Sequence, residues 1–496
     1  MADDRQGNTP SMDGNTTAQP AGAGAPHAES RETNAEARQH MQAGLESASA
    51  GQYEAAAEAF EQALNADPEN ARARYNLGLA LQRLGDAEEA IVCYLRAIYS
   101  DPSLIEAYIN LGHLFREQGE DERALEAYQG ALELDNGNDE LFTNIGDIYL
   151  ELGFYDDAVL AFRQAQILNP ENALAADRLR EARDEIEHQA EHIADLERAV
   201  DEEPRDLERY ERLCDAYLMA HREQDALNLV NQMVALAPNE LTTYETQALV
   251  YETMNRAEDA ANAWIKVTQL APDEPDAWER LANWRQELDD FDGAITAYEQ
   301  ALKLTPDSPS VRFNLAEALR DAQRYDEAIA GYRELIHQYA DLHDDEAEEL
   351  LAEAYAGLAA TLNLSERYAE AEQTADEFLQ RFEDNAEGLY EKASALDGVG
   401  RRDEAITTYE QAIEADPLNP GIRNDLADTY LAAGHTEDAI DLAESAVALD
   451  PEFVIGYETL AQALLAAGRT DEAERAAERA AELHAAFEAE EDETEQ

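Results

Sequence analysis

Proline recurs on a fixed grid along this chain, and that period constrains the fold more than any other feature. Pro68, Pro102, Pro170, Pro204, Pro238, Pro272 and Pro306 lie 34 residues apart or at multiples of 34, with Asn136 filling the gap. A period in this range marks a stack of small supersecondary units rather than one closed core. Counting back from Pro68 starts the first unit at Ala37. Units then run 37–70, 71–104, 105–138, 139–172, 173–206, 207–240, 241–274, 275–308 and 309–342. Nine further residues, 343–351, interrupt the grid, which resumes as 352–385, 386–419, 420–453 and 454–487. The sequence therefore predicts thirteen units.

Place twenty of the unit is alanine in twelve of the thirteen, from Ala56 and Ala90 to Ala439 and Ala473; only the fifth unit departs, with His192. Place eight is Gly44, Gly78, Gly112 and Gly146 in the early units and mostly alanine later. Place twenty-four is usually large, as in Phe60, Tyr94, Tyr128, Phe162, Trp264, Tyr298, Tyr332 and Tyr409. Two small places and one large one are what two closely packed helices need. In unit 71–104, Tyr75, Leu77, Gly78 and Leu81 form one apolar stripe and Ala90, Tyr94 and Ala97 another, with Gly85 between them as a helix stop. Asp101-Pro102 ends the second helix, because proline cannot continue it and restricts the residue before it. Neither helix can bury its face alone, so units must stack.

These residues resemble the tetratricopeptide repeat. Unit 139–172 carries the family pattern throughout, with Phe142, Gly146, Tyr149, Ala158, Phe162, Ala165 and Pro170. The resemblance covers residues 37–487. It implies an all-α fold, a right-handed α-solenoid of about thirteen 34-residue helix-pair units, with a concave groove lined by the first helix of each pair. Outside the regular units, residues 1–36 are rich in Gly, Ala, Pro, Thr and Asn and read as a disordered arm, and 488–496 reads as an acidic tail. The organisation is four units over 37–172, a degenerate unit or long linking helix at 173–206, four units over 207–342, the insertion 343–351, and four units over 352–487.

Unit 173–206 has no Gly or Pro between Pro170 and Pro204, while Leu179, Ile186, Ile193 and Val200 recur every seven residues. Either a fused repeat packs inside the solenoid, or an exposed long helix joins two arrays; its heptad stripe would also serve self-association through 173–206. His188, Glu191 and His192 in this segment fit the spacing H-x-x-E-H of inverted zinc peptidases. A third ligand and a pocket would be needed, so the expectation is a chance match and no metal. There is no phosphate-cradling glycine loop, nucleophile elbow or CxxC, and no cofactor is expected. Cys93 and Cys214 are isolated and read as small core hydrophobes.

In the family, places two, five, six, nine, twelve and thirteen of the first helix face the groove. Place six is Asn76, Asn110 and Asn144 in three successive units, with Arg72, Tyr75, Arg83, His113 and Arg116 around them. The asparagines resemble the ladder in the repeats of O-GlcNAc transferase, which holds an extended peptide by its backbone. The lysine-rich clamp of chaperone-binding members is not met, since no lysine precedes Lys266. The resemblance thus implies a non-catalytic scaffold that binds an extended segment of another protein. The alternative is the regulatory or substrate-recruiting subunit of a glycosyltransferase or other processing enzyme, with the catalytic domain on another chain.

Charge narrows the partners. Asp plus Glu number 110 against 36 Lys plus Arg, a net charge of −74, and only Lys266, Lys303 and Lys392 are lysines. Such a surface repels phosphate backbones and anionic lipid, so neither nucleic acid nor membrane is expected as a partner. No basic region followed by an apolar run opens the chain and no stretch approaches 18 apolar residues, so the expected location is cytoplasmic. Arginine over lysine with abundant carboxylate resembles the proteins of salt-in halophiles. At about 1 M salt the Debye length is about 3 Å, and surface carboxylates barely repel one another. On dialysis from molar salt into dilute buffer the chain should lose helical circular dichroism, and added salt should restore it. Full helicity in dilute buffer would remove the halophile reading.

Overall fold

The structure, a computed structural model, describes residues 29–68, 70–340 and 345–494. These form 25 helices and no strand. The first four units supply α1 (Glu29–Ser49), α2 (Tyr53–Ala66), α3 (Ala71–Leu84), α4 (Ala87–Ser100), α5 (Ile105–Gln118), α6 (Asp121–Leu134), α7 (Asp139–Glu151) and α8 (Tyr155–Leu168). Unit 173–206 is one helix, α9 (Ala173–Glu202). Four pairs follow: α10 (Leu207–Met219) and α11 (Glu223–Leu236), α12 (Leu241–Thr253) and α13 (Ala257–Leu270), α14 (Pro275–Glu287) and α15 (Phe291–Leu304), α16 (Pro309–Asp321) and α17 (Tyr325–Tyr339). The last four are α18 (Asp345–Leu364) and α19 (Tyr368–Arg381), α20 (Ala386–Gly398) and α21 (Arg402–Ala415), α22 (Pro420–Ala433) and α23 (Thr436–Leu449), α24 (Val454–Ala466) and α25 (Thr470–Thr494).

Some helix ends have a local cause and others are set by packing. Place thirty-four caps the first helix in several units: Asn70, Asn172, Asn385 and Asn419 each accept a backbone N–H three residues on. Between the two helices, place fifteen is left-handed in every pair. It is glycine at Gly51, Gly85, Gly119, Gly153, Gly400, Gly434 and Gly468, but His221, Asn255, Asp289, Gln323 and Glu366 hold the same conformation at φ of 50–58°. The packing of the two helices dictates that turn even where the residue disfavours it. In α9 the corresponding residue is Glu187, the helix runs on, and its 30 residues span about 45 Å.

The core is a continuous seam between helices. Place-twenty alanines such as Ala90, Ala124 and Ala158 have no exposed surface. A Cβ on Gly112 would come within 2.6 Å of the Tyr128 ring, so place eight leaves room for the knob at place twenty-four. Successive units are fastened by a second device. In several units the side chain at place four donates to the carbonyl of the proline that ends the previous unit: Arg74 to Pro68 at 2.8 Å, Tyr244 to Pro238 and Trp278 to Pro272 at 3.0 Å, and Arg312 to Pro306 at 2.7 Å.

Several boundaries differ from the sequence reading. Residues 1–28 of the expected arm lie outside the described residues, but α1 is already helical from Glu29, because the helix of the first unit extends backward past Ala37. The insertion 343–351 does not form a separate loop over its whole length: α18 begins at Asp345 and lengthens the first helix of the next unit to 20 residues. The tail is helical to Thr494 as a continuation of α25, with 495–496 outside the described residues. For 173–206, the first half of α9 packs Ala175, Leu179 and Ala182 with Phe162 of α8, and the second half packs Ile193 and Val200 with Leu213 and Val230 of the next unit.

The left-handed turn is testable in both directions. Gly119 has open space around its Cβ position, so Gly119→Ala should cost about 1–2 kcal/mol through backbone strain alone. Gln323→Gly should stabilise by up to about 1 kcal/mol, since glycine carries no such strain but loses more entropy on folding. Urea midpoints of the two variants should move in opposite directions.

Candidate functional site

First helices of successive units touch one another along parts of the stack, as α10 does α12, α18 does α20 and α22 does α24. Second helices of neighbouring units make no comparable contact among the described residues. The first helices are therefore the closer-spaced, inner row of the stack, and their solvent side is the candidate site.

In units 71–172 that row is knitted from unit to unit. The Asn110 carboxamide donates to the Tyr75 hydroxyl at 3.2 Å, Asn144 Nδ2 lies 3.4 Å from His113 Nε2, and Asn76 Nδ2 lies 3.9 Å from Met41 Sδ. Each asparagine thus uses its amino group toward the preceding unit. All three are half-buried, and their carboxamide oxygens accept no hydrogen bond among the described residues. Tyr75 also packs against Tyr94 with ring centroids 5.7 Å apart, and His113 meets Tyr128 edge-on at 5.7 Å. Burial lowers the His113 imidazole below its ordinary range, so it is held neutral and able to accept.

The three arginines around the asparagines do not share one role. Arg72 reaches Glu106 of the next unit at 3.4 Å and lies over the Tyr75 ring at 5.6 Å. Arg116 pairs with Glu151 at 2.9 Å and stands 3.9 Å from Asp147, which in turn pairs with Arg178 at 3.0 Å. Arg83 is exposed at the end of α3, with no ion pair among the described residues. The structure brings Tyr75, Asn110, His113 and Asn144 together, turns Arg72 and Arg116 into links between units, and leaves Arg83 apart.

Sequence reasoning missed the later groove. Place five carries Glu211, Glu245 and Glu279, each with its carboxyl raised above the usual range chiefly by burial. The repeat grid held that signal; only the asparagines at the neighbouring place were read. A cavity of about 550 Å³ opens there, lined by Glu252, Asp276, Glu279, Arg280, Asn283 and Trp284. Its wall is cross-linked: Glu252 accepts from the indoles of Trp264 at 2.7 Å and Trp284 at 2.6 Å and pairs with Arg280 at 2.9 Å. Further along, Glu391 is almost wholly buried, and desolvation pushes its carboxyl up to about 7 even though Asn363 donates to it at 2.7 Å.

Other candidates hold no site. His188, Glu191 and His192 are exposed on α9, and no group of three His, Cys, Asp or Glu among the described residues could hold a metal ion. Cys93 and Cys214 are buried free thiols pushed up to about 12, mainly by desolvation, so neither is a ready nucleophile. No helix among the described residues is long and apolar enough to cross a membrane.

Family models described as TPR repeat match residues 44–85 and 112–153, and models described as tetratricopeptide repeat match 71–104, 139–172, 285–343, 365–420, 390–452 and 431–489. Similar solved structures include the APC/C hetero-tetramer Cut9-Hcn1, at 15% identity over 89% of this chain and 99% of that one, with a TM-score of 0.35. Yeast Tom70 is similar at 18% identity over 84% of this chain and 92% of that one, with a TM-score of 0.41. A tetratricopeptide repeat protein from Parabacteroides merdae is similar at 17% identity over 57% and 99%, with a TM-score of 0.28. No curated protein matches the sequence.

Glu391 sets a pH dependence. Its carboxyl binds a proton more tightly in the fold than in the unfolded chain, so ionisation penalises the fold. The penalty is absent below about pH 4.5, grows as pH rises and levels off above about 7. Glu391→Gln keeps an acceptor for Asn363 and removes the penalty. It should stabilise the protein by about 1–3 kcal/mol at pH 8 and change little at pH 4.5, read from urea midpoints at the two pH values.

Proposed function

This chain belongs to the tetratricopeptide repeat family, and on that premise we propose that it is a non-catalytic, cytoplasmic scaffold holding an extended segment of another protein along the row of first helices. The observation that carries this reading is the half-buried asparagine series at Asn76, Asn110 and Asn144. Each offers a carboxamide oxygen with no partner among the described residues, repeated once per 34-residue unit.

The dimensions suit a peptide backbone. Stacked helices lie about 10 Å apart. An extended segment covers that distance in about three residues at roughly 3.3 Å each. Acceptors at that spacing can each meet a backbone N–H of the segment without reading its side chains. Since Arg72 and Arg116 are engaged by carboxylates of this chain, they position the ladder rather than attract the partner. Tyr75 and His113 set the carboxamides in place from behind.

Replacing Asn76, Asn110 and Asn144 together by alanine should weaken capture of partner proteins from a high-salt lysate, with the helical signal unchanged. At about 0.5–1.5 kcal/mol for each net hydrogen bond, the triple variant should lose roughly 1.5–4.5 kcal/mol of binding free energy. Retention of the same partners at unchanged affinity would place binding elsewhere on the surface.

A further inference from the structure

A solenoid is quasi-one-dimensional, each unit touching only its neighbours. Every extended helix–helix contact among the described residues obeys this except one: α4 packs against α23, ten units further along. Arg96 of α4 and Asp441 of α23 stand 345 residues apart in sequence, yet the guanidinium pairs with the carboxylate, Nη1 reaching Oδ2 at 3.4 Å and Nη2 the Asp441 carbonyl at 3.5 Å.

The surfaces that meet are unlike the same surfaces elsewhere. Places twenty-two, twenty-six and twenty-nine form the outer stripe of each second helix. In α2 they are Glu58, Gln62 and Asn65, and in α21 they are Thr407, Gln411 and Glu414, all exposed. In α23 places twenty-six and twenty-nine are Ser445 and Ala448, only 3% and 4% exposed, and in α4 place twenty-two is Val92, at 8%. The stripe is apolar in α8 too, where Leu160 and Ile167 are 62% and 72% exposed, but among the described residues only in α4 and α23 does a helix from a distant unit cover it. Leu418, in the connection before α22, packs on the core that contains α4. The charges also complement each other. In a chain of net charge −74, unit 71–104 is neutral, with four arginines against four carboxylates, whereas unit 420–453 has one arginine against eight.

We propose that α4 and α23 form a releasable latch that folds the two arrays, 37–172 and 207–487, against each other, with α9 as the hinge. The hinge has the required form. It is a single helix whose halves belong to different cores, flanked by a cavity of about 360 Å³ where Phe154 of one array stacks on His221 of the other at 4.0 Å. Because the other extended helix–helix contacts are between neighbours, release of the latch leaves every unit intact. The outer faces of the second helices are consumed in the latch, so the two rows of first helices are held in a fixed mutual arrangement when it is shut and move apart when it opens.

The test uses the full chain with Cys93→Ala and Cys214→Ala as background. Arg96→Cys with Asp441→Cys should form a disulfide within one chain under mild oxidation, seen as a faster monomer band on non-reducing gels. Arg96→Cys with Thr407→Cys, the same helical place one unit earlier, should not. Separately, Val92→Glu with Ser445→Glu should raise the radius of gyration in X-ray scattering with no loss of helical circular dichroism. Equal cross-linking of the control pair, or cross-links only between chains, would overturn the latch, the second outcome making this surface a contact between copies. Unchanged dimensions of the glutamate variant, or loss of its helicity, would overturn the claim that the contact releases.

Discussion

The packing of each helix pair on the next is the constraint from which the array follows. A helix pair has a fixed internal geometry set by small residues facing a large one, but nothing in that geometry says where the next pair sits. In several units the hydrogen bond from place four to the preceding proline carbonyl helps to set it. Arginine, tyrosine and tryptophan serve alike in this role, at Arg74, Tyr244 and Trp278. All three have a long apolar body that packs between units and an N–H or O–H at the tip. Proline at place thirty-two ends the helix, so its carbonyl has no helical partner and is available. At these units one device both stops a unit and docks the next.

Arginine is used in the same repeating way. Six units place it at sixteen with a carboxylate three residues on, as in Arg324–Glu327, Arg367–Glu370 and Arg401–Glu404. The carboxylate lies in the first turn of the second helix, where the helix dipole favours negative charge. The pair is bidentate, with Arg401 bonds of 2.7 and 2.6 Å to Glu404. These pairs are exposed, and each contributes little alone. A compact lysine ammonium cannot make the forked contact, which gives a geometric reason, beside any related to salt, for 33 arginines and three lysines. The larger consequence is for the groove. With so many carboxylates in the chain, its arginines are drawn into internal pairs, and the surface left over is acidic, as Glu211, Glu245 and Glu279 show.

Much of the fold was legible in the sequence because it is local. The 34-residue spacing, the alanine at place twenty and the Gly112–Tyr128 type of contact all lie within one unit, and repetition shows them many times over. The groove was legible only in part. The grid located Asn110 and Asn144, but not that each reaches back to a side chain of the unit before. That reach depends on the distance between stacked helices, which no single unit encodes. Glu391 gave no sign of its burial, since its environment is built from Asn363 and from helices on both sides.

The sequence by itself determined the unit, its two helices and their stops, because helix period, proline and glycine act over a few residues. Tertiary structure decided what happens where those local rules are weak or silent. His221 and Gln323 take a left-handed turn because two packed helices leave no other path, at a cost the core contacts outweigh. Helix α9 runs unbroken because no residue near Glu187 opposes helix, yet which core each half joins is set by the units on either side. The meeting of Arg96 with Asp441 is decided last of all. It depends on the small rotation between units summed over the intervening stack, a quantity to which every interface contributes and which no segment of the sequence carries alone.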